Sequence, residues 1–140
     1  MAYWLFKSEP HTWSWDDQVK AGAKGTYWNG VRNHLAKKHM QEMRLGERGF
    51  FYHSGDDKEI VGLVEVIKEY YPDHTDASGR FGMVDLKAVG RLVHPVSLAA
   101  IKAEPALKDM VLVNNSRLSV QPVSEGEWQR VCEMGGVAAL

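Results

Sequence analysis

Two consecutive β-strand patterns joined by a short polar loop constrain the fold more than any other part of this sequence. Residues 48–54 and 59–67 are rich in aromatic and β-branched side chains, and residues 55–58 have the composition of a hairpin turn. A further short segment, residues 3–7, is apolar without alternating polar positions, which predicts a strand buried on both faces. The chain is therefore expected to build a sheet around these strands.

Helical patterns surround the predicted strands along the chain. Helices are predicted over residues 14–22, 30–44 and 95–101, and after a capping box formed by Ser124 and Glu127. Cys132 lies on the apolar stripe of the last helix and is predicted to be a core residue. With two more strands, residues 81–93 and 118–123, the fold class is α+β: a curved mixed sheet or small barrel surrounded by short helices.

Charge and length restrict the classes of function. The 140 residues are expected to form a single domain, and their formal net charge is -1. A protein that coats duplex DNA by charge alone is usually far more basic, so any contact with nucleic acid is expected to be local. One cysteine permits no intramolecular disulfide, and no apolar run has the length of a membrane span. A monomer in the cytoplasm, or in the nucleus of a eukaryote, without a membrane partner is the expectation.

Motifs for metal, cofactor and standard catalytic chemistry are missing from the sequence. There are six histidines, but His34 and His39 are five positions apart and would splay around a helix. The sequence has neither paired cysteines nor the glycine patterns of nucleophile elbows and phosphate-binding loops. No metal site and no cofactor is expected.

Residues 27–33 form the segment with the clearest binding signature. Trp28 precedes Gly30 at the expected start of a helix, and Arg32 falls in what would be the first helical turn. Helix starts present free N–H groups and partial positive charge, which suits a planar ligand that carries acceptors or a phosphate. Ser8, Ser54 and Ser119 each lie near a predicted strand end, where they could reach the same pocket.

Four separated segments resemble the EVE domain, a family of the PUA-like superfamily that is related to the YTH readers of methylated adenine in RNA. The segments are residues 3–10, 28–33, 51–54 and 117–123, and the similarity extends over essentially the whole chain. The resemblance implies a curved PUA-like pseudo-barrel wrapped by helices. It also implies recognition of a modified base, in DNA or RNA, inside an aromatic cage.

The resemblance also implies roles for individual residues. Trp28 would be one wall of the cage, Ser8 and Asn29 would face the base edge, and Ser54 would lie across the pocket. Asn29 stands where the family often has an acidic residue, so the base edge that is accepted can differ. Trp28→Ala is expected to abolish binding and leave the fold intact. The complete expected binding set is Lys7, Ser8, Trp28, Asn29, Gly30, Val31, Arg32, Asn33, His53, Ser54, Arg117, Leu118 and Ser119.

Two roles in this set stay open at the level of sequence. Arg117, together with Lys7 and Arg32, could hold flanking phosphates in a salt-dependent way, or it could stabilise a surface turn. His53 could donate a hydrogen bond within the pocket or cap the end of its strand.

Two other classes of function compete with base recognition. Some PUA-like relatives resemble small amidohydrolases that act on modified nucleosides, which would make Lys7, Ser8 and Glu65 the catalytic candidates. Burial would then lower the pKa of Lys7 so that it acts as a base. This alternative requires Lys7 and Glu65 to approach each other in one pocket. The third alternative is a module that binds a metabolite or a peptide.

Overall fold

A six-stranded mixed sheet lies at the centre of this protein, in a computed structural model that describes residues 1–139. The strands are β1 (Tyr3–Ser8), β2 (Thr26–Tyr27), β3 (Arg48–His53), β4 (Glu59–Pro72), β5 (Gly82–Ser97) and β6 (Val120–Val123). The α-helices are α1 (Trp15–Lys20), α2 (His34–Glu42), α3 (Leu98–Ala103), α4 (Val111–Asn114) and α5 (Glu125–Gly135), and short 3₁₀ turns occupy Gly22–Lys24 and Pro105–Leu107. This arrangement confirms the predicted α+β class.

The order of strands across the sheet is β2-β5-β4-β3-β1-β6. β1 runs parallel to β3, and the other neighbouring strands are antiparallel. Several irregularities in register interrupt the pairing of β4 with β5, and bulges of this kind bend and twist a sheet. The two long strands therefore wrap the sheet into the curved form expected from the sequence.

Strand alternation divides the core between the two faces of the sheet. Trp4 and Phe6 pack on one face with α1 and α2, whereas Leu5 packs on the other with α5. On this second face the Trp128 ring stacks on the rings of Tyr3 and Phe50, at centroid distances of 4.4 and 4.2 Å. β1 is therefore buried on both faces, as its lack of polar alternation predicts.

Cys132 is fully buried in the second cluster, which confirms its assignment to the core. Within residues 1–139, no helix combines the length and the apolar character that crossing a membrane would require.

The predicted helix over residues 30–44 is wrong at both ends. α2 begins at His34, because the Asn33 side chain accepts a hydrogen bond from Ala36 N at 2.9 Å and acts as the N-cap. Gly30 has a φ of +85°, which lies outside the helical region. The helix ends at Glu42, before the predicted end at residue 44, and Gly46 lies in the turn that follows. Residues 28–32 are thus an irregular segment, and Arg32 precedes the helix rather than lying in its first turn.

Two further boundaries differ from the sequence prediction. β5 continues through Pro95, and α3 starts only after Ser97, whose side chain caps Ala100 N at 3.0 Å. β2 has only two residues, paired with Asp85 and Leu86, and is too short to give a periodic signal. Its position matters because it leads directly into the irregular segment.

Candidate binding cleft

A cleft of about 550 Å³ opens between the end of β1, the loop before α1 and the chain from β2 to Arg32. This volume lies within the range of small-molecule sites, roughly 300–1,000 Å³. Its walls mix aromatic rings with short polar side chains and come from four separate parts of the sequence. They comprise Lys7, Ser8, Glu9, Thr12, Trp13, Thr26, Tyr27, Trp28, Asn29, Gly30, Val31, Arg32 and Ser119.

Trp28 lines the cleft with a ring that is otherwise part of the core. It is 8% exposed and packs edge-to-face on Phe6 and Phe51, with ring centroids 5.5 and 5.6 Å away. Its backbone N–H donates to Val84 O at 2.8 Å, which ties the segment to β5. Removing this ring would open a cavity in the core, so the expectation that Trp28→Ala leaves the fold intact is not supported by its packing.

A second indole, that of Trp13, lines the same cleft and was missed in the predicted binding set. Its Nε1 donates to Gln18 Oε1 at 2.9 Å, and its carbonyl oxygen accepts a hydrogen bond from the Ser8 hydroxyl. An aromatic residue between Pro10 and Ser14, the N-cap of α1, is the only sequence signal for this role. Because the Ser8 hydroxyl donates its proton to Trp13 O, its oxygen can accept a hydrogen bond from a ligand.

Asp73 holds the irregular segment in place. The carboxylate is buried and accepts from Gly30 N at 2.9 Å and from Arg32 Nη1 at 3.0 Å. It also accepts from the backbone N–H and the hydroxyl of Thr75, at 2.7 and 2.6 Å. Burial by itself would raise the pKa of Asp73, but the hydrogen bonds from Thr75, Gly30 and Arg32 outweigh burial and lower it to about 2. Asp73 is therefore ionised at neutral pH and joins the cleft wall to the β4–β5 loop.

Arg32 stands at the rim of the cleft with part of its charge already matched. Besides Asp73, the guanidinium contacts Thr75 Oγ1 at 3.1 Å and Val31 O at 3.1 Å. Its side chain is 38% exposed. A guanidinium has five N–H donors, so Arg32 retains donors for an anion at the rim.

His53 and Ser54 lie outside the residues that line the cleft. His53 Nε2 accepts the Trp15 N–H at 3.0 Å, while its Nδ1 is 3.3 Å from Asp57 Oδ2. Ser54 N donates to Ser8 O at 2.9 Å. Neither residue borders this cleft: His53 fixes the start of α1, and Ser54 continues the pairing of β3 with β1.

Three other residues of the expected set also fall outside the cleft lining. Asn33 caps α2, Leu118 is buried in the core, and Arg117 is exposed in the turn before β6. Ser119 does line the cleft, and its carbonyl oxygen accepts the Lys7 N–H at 2.9 Å. Only one residue of the segment 117–119 therefore reaches the cleft.

Lys7 and Glu65, the charged pair required by the enzyme alternative, line different surfaces. Lys7 borders the cleft, but its ammonium donates a hydrogen bond to Ser116 O. The ammonium also lies 5.9 Å from the centroid of the Tyr52 ring, and Tyr52 belongs to the other face of the sheet. Burial lowers the pKa of Lys7.

Glu65 pairs instead with Arg48 at 3.5 Å and with Lys87 at 3.7 Å, in a separate groove beside β5. The geometric condition for the enzyme alternative is not met.

The curved mixed sheet with short helices on its two faces defines a small α+β domain of the PUA-like type, with an aromatic-lined cleft at the end of β1. The chain belongs to the EVE domain family, whose sequence model matches residues 2–134. It is 62% identical to Rpa0253 from Rhodopseudomonas palustris, with a TM-score of 0.92 and coverage of 97% of this chain and 94% of that one.

Two further structures of similar fold were solved with nucleic acid bound. Human thymocyte nuclear protein 1 (THYN1), solved in complex with DNA that contains 5-methylcytosine, is 32% identical with a TM-score of 0.91 and coverage of 99% of both chains. The YTH domain of Zygosaccharomyces rouxii MRB1, solved with N6-methyladenosine RNA, has a TM-score of 0.57 at 17% identity, covering 98% of this chain and 88% of that one. At that identity the YTH likeness concerns the fold alone.

Proposed function

We propose that this protein recognises a modified nucleobase of a nucleic acid and takes that base into the cleft beside β1. The observation that carries the proposal is the cleft itself: two indoles, Trp13 and Trp28, meet short polar groups in a volume of about 550 Å³. The complex of human THYN1 with 5-methylcytosine-containing DNA supports it, since that protein is similar along 99% of both chains.

The chemistry of the walls suits a base that is removed from its stack. An aromatic wall replaces the stacking that a flipped or single-stranded base loses, at roughly 1–3 kcal/mol per base. A methyl group on the base adds apolar area that the indoles can bury. Because the chain carries a net charge of -1, most of the affinity is assigned to the pocket rather than to phosphate contacts.

The polar groups favour a base with an exocyclic amino group. The Ser8 oxygen is available as an acceptor, because the Ser8 proton is donated to Trp13 O. Asn29 lines the cleft, is exposed, and carries both a donor and an acceptor in its amide. Cytosine and adenine derivatives offer an N–H donor beside a ring-nitrogen acceptor, so 5-methylcytosine and N6-methyladenine are the first ligands to test.

The test is a binding titration with short fluorescent single strands that differ only in one base: 5-methylcytosine, cytosine, N6-methyladenine or adenine. The protein is expected to prefer one methylated strand over its unmodified counterpart by at least about fivefold, on the scale of one buried methyl group. Equal affinity for all four strands would contradict modified-base recognition. Tight binding of a free metabolite with no binding of any strand would favour the metabolite alternative instead.

Variants at exposed positions separate loss of binding from loss of folding. Asn29→Ala is expected to weaken binding of the preferred strand with little change in stability, and Asn29→Asp to change which base is preferred. Leu45→Ala is the matched control, since Leu45 is 61% exposed and lies outside the cleft lining. An Asn29→Ala protein that binds like the control would remove Asn29 from the site. The cytoplasmic or nuclear location and the monomeric state stay predictions from sequence.

A further inference from the structure

An exposed aromatic pair stands at the mouth of the cleft. The Tyr27 and His74 rings meet edge-to-face, with centroids 4.7 Å apart and planes at 85°. Tyr27 remains 45% exposed despite this contact, and it lines the cleft together with its neighbour Trp28. Core packing does not account for a large aromatic side chain that is left this open to solvent.

Both rings stand on backbone that is joined to the cleft wall. Tyr27 is paired with Asp85 across β2 and β5, and the next residue, Trp28, donates its N–H to Val84 O at 2.8 Å. His74 directly follows Asp73, the carboxylate that accepts from Gly30 N. The orientation of the pair is therefore coupled to the residues that shape the cleft rather than to a free loop.

We propose that the exposed ring of Tyr27, supported edge-to-face by His74, forms a stacking platform for the nucleotide next to the one held in the cleft. The inference rests on the proposed function, and it narrows the ligand to a strand of at least two nucleotides. Bases stack on aromatic rings without sequence preference, because each base has a π-face. Arg32, on the rim of the same cleft, has N–H donors left for the phosphate that connects the two nucleotides.

The platform predicts that affinity depends on the length of the strand and on which end of the strand carries the modified base. A modified mononucleotide occupies only the cleft, whereas a strand with one more nucleotide on the correct side also covers the part of the Tyr27 ring that is exposed to solvent. The unaltered protein should therefore bind one of two trinucleotides, with the modified base at the 5′ or the 3′ end, about 10-fold or more tightly than the mononucleotide.

The experiment measures the affinity of the full chain for the modified mononucleotide and for both trinucleotides by calorimetry. It compares the unaltered protein with Tyr27→Ala, Tyr27→Phe and His74→Ala. Val93→Ala serves as the control, since Val93 is 66% exposed on β5 and lies outside the cleft lining. Far-UV circular dichroism and thermal unfolding verify that each variant is folded.

Tyr27→Ala is expected to weaken binding of the preferred trinucleotide about 10- to 100-fold, and this loss should exceed the loss of mononucleotide affinity by about 10-fold or more. Tyr27→Phe should retain the affinity for the trinucleotide, because the ring face remains, and His74→Ala should show a smaller loss than Tyr27→Ala.

Equal losses of affinity for the mononucleotide and the trinucleotide would mean that Tyr27 acts only as a wall of the cleft, which would overturn the platform. Equal affinity of the unaltered protein for all three ligands would overturn it too, while leaving base recognition intact. Binding of none of them by the unaltered protein would overturn both proposals.

Discussion

Replacing Asp73 with asparagine removes the buried charge that joins the cleft wall to the loop between β4 and β5. Four hydrogen bonds converge on this carboxylate, from Gly30 N, from Arg32 Nη1, and from the N–H and hydroxyl of Thr75. An asparagine has one acceptor oxygen, and its NH₂ group would face a donor in the place of the second carboxylate oxygen. The variant should therefore lose stability and loosen the segment from Trp28 to Arg32.

The pKa of Asp73 sets the size of the effect. It is about 2, against an ordinary value of 3.8. Each tenfold difference in proton affinity corresponds to about 1.4 kcal/mol, so ionised Asp73 contributes on the order of 2–3 kcal/mol to folding at neutral pH. Asp73→Asn should lower the free energy of unfolding at pH 7 by about this amount.

The dependence on pH has a definite sign. Because the folded-state pKa lies below the unfolded value, the contribution of Asp73 is fully present above pH 4 and is lost as the pH falls from about 4 through about 2. The difference in stability between the unaltered protein and Asp73→Asn should therefore shrink across this window. Urea unfolding followed by tryptophan fluorescence at pH 7, 5 and 3 measures it.

Asp76→Asn provides the control for the loop. The pKa of Asp76 is also about 2, lowered first by the hydrogen bond from the Ser78 hydroxyl, and the carboxylate accepts from the N–H groups of Ser78 and Phe81. Its hydrogen bonds stay within the loop and its charge acts on Arg32 only through space, so Asp76→Asn should change ligand affinity much less than Asp73→Asn, which should reduce it about 10-fold. If Asp73→Asn unfolds within about 0.5 kcal/mol of the unaltered protein at pH 7, with no pH dependence, the argument is refuted.

Two further predictions concern the packing of the core. Gly62→Ala should destabilise the protein by about 1–3 kcal/mol in urea unfolding, because the new Cβ would lie 2.4 Å from the Trp15 ring. Gly90→Ala is the control: its Cβ would have no heavy atom within 4 Å, so it should cost less than about 1 kcal/mol. Equal losses of stability in the two variants would contradict the packing argument. Cys132 is buried, and burial raises the pKa of its thiol to about 11. A thiol reagent should therefore modify Cys132 at the rate of global unfolding. Rapid labelling of the folded protein would contradict its burial.

The sequence predicts most of the secondary structure because the signals are local. The hairpin of β3 and β4 and the capping box of α5 depend on residues that are close in the chain, and both are present in the structure. The start of α2 is harder to predict, because its N-cap, Asn33, lies within the segment that the sequence predicts to be helical. A hydrogen bond to Asp73, 43 positions away, holds Gly30 outside the helix.

The cleft is only partly predictable for the same reason. The segment from Trp28 to Arg32 carries a recognisable motif and does line the cleft. His53 belongs to another such motif, but the docking of α1 on β3 assigns its ring nitrogen to Trp15 N instead. The ammonium of Lys7 is likewise turned to the far face of the sheet, because successive side chains of a strand point to opposite sides.

The sequence by itself determines the α+β pattern, the capping box of α5 and the family motifs around Trp28, since each depends on neighbouring residues. Tertiary structure decides which of the motif residues meet in one cleft, and it adds Trp13 and Asp73, which lie outside the segments that the sequence marks for binding. The physical reason is that strand alternation and long-range hydrogen bonds, rather than spacing along the chain, set the direction of each side chain.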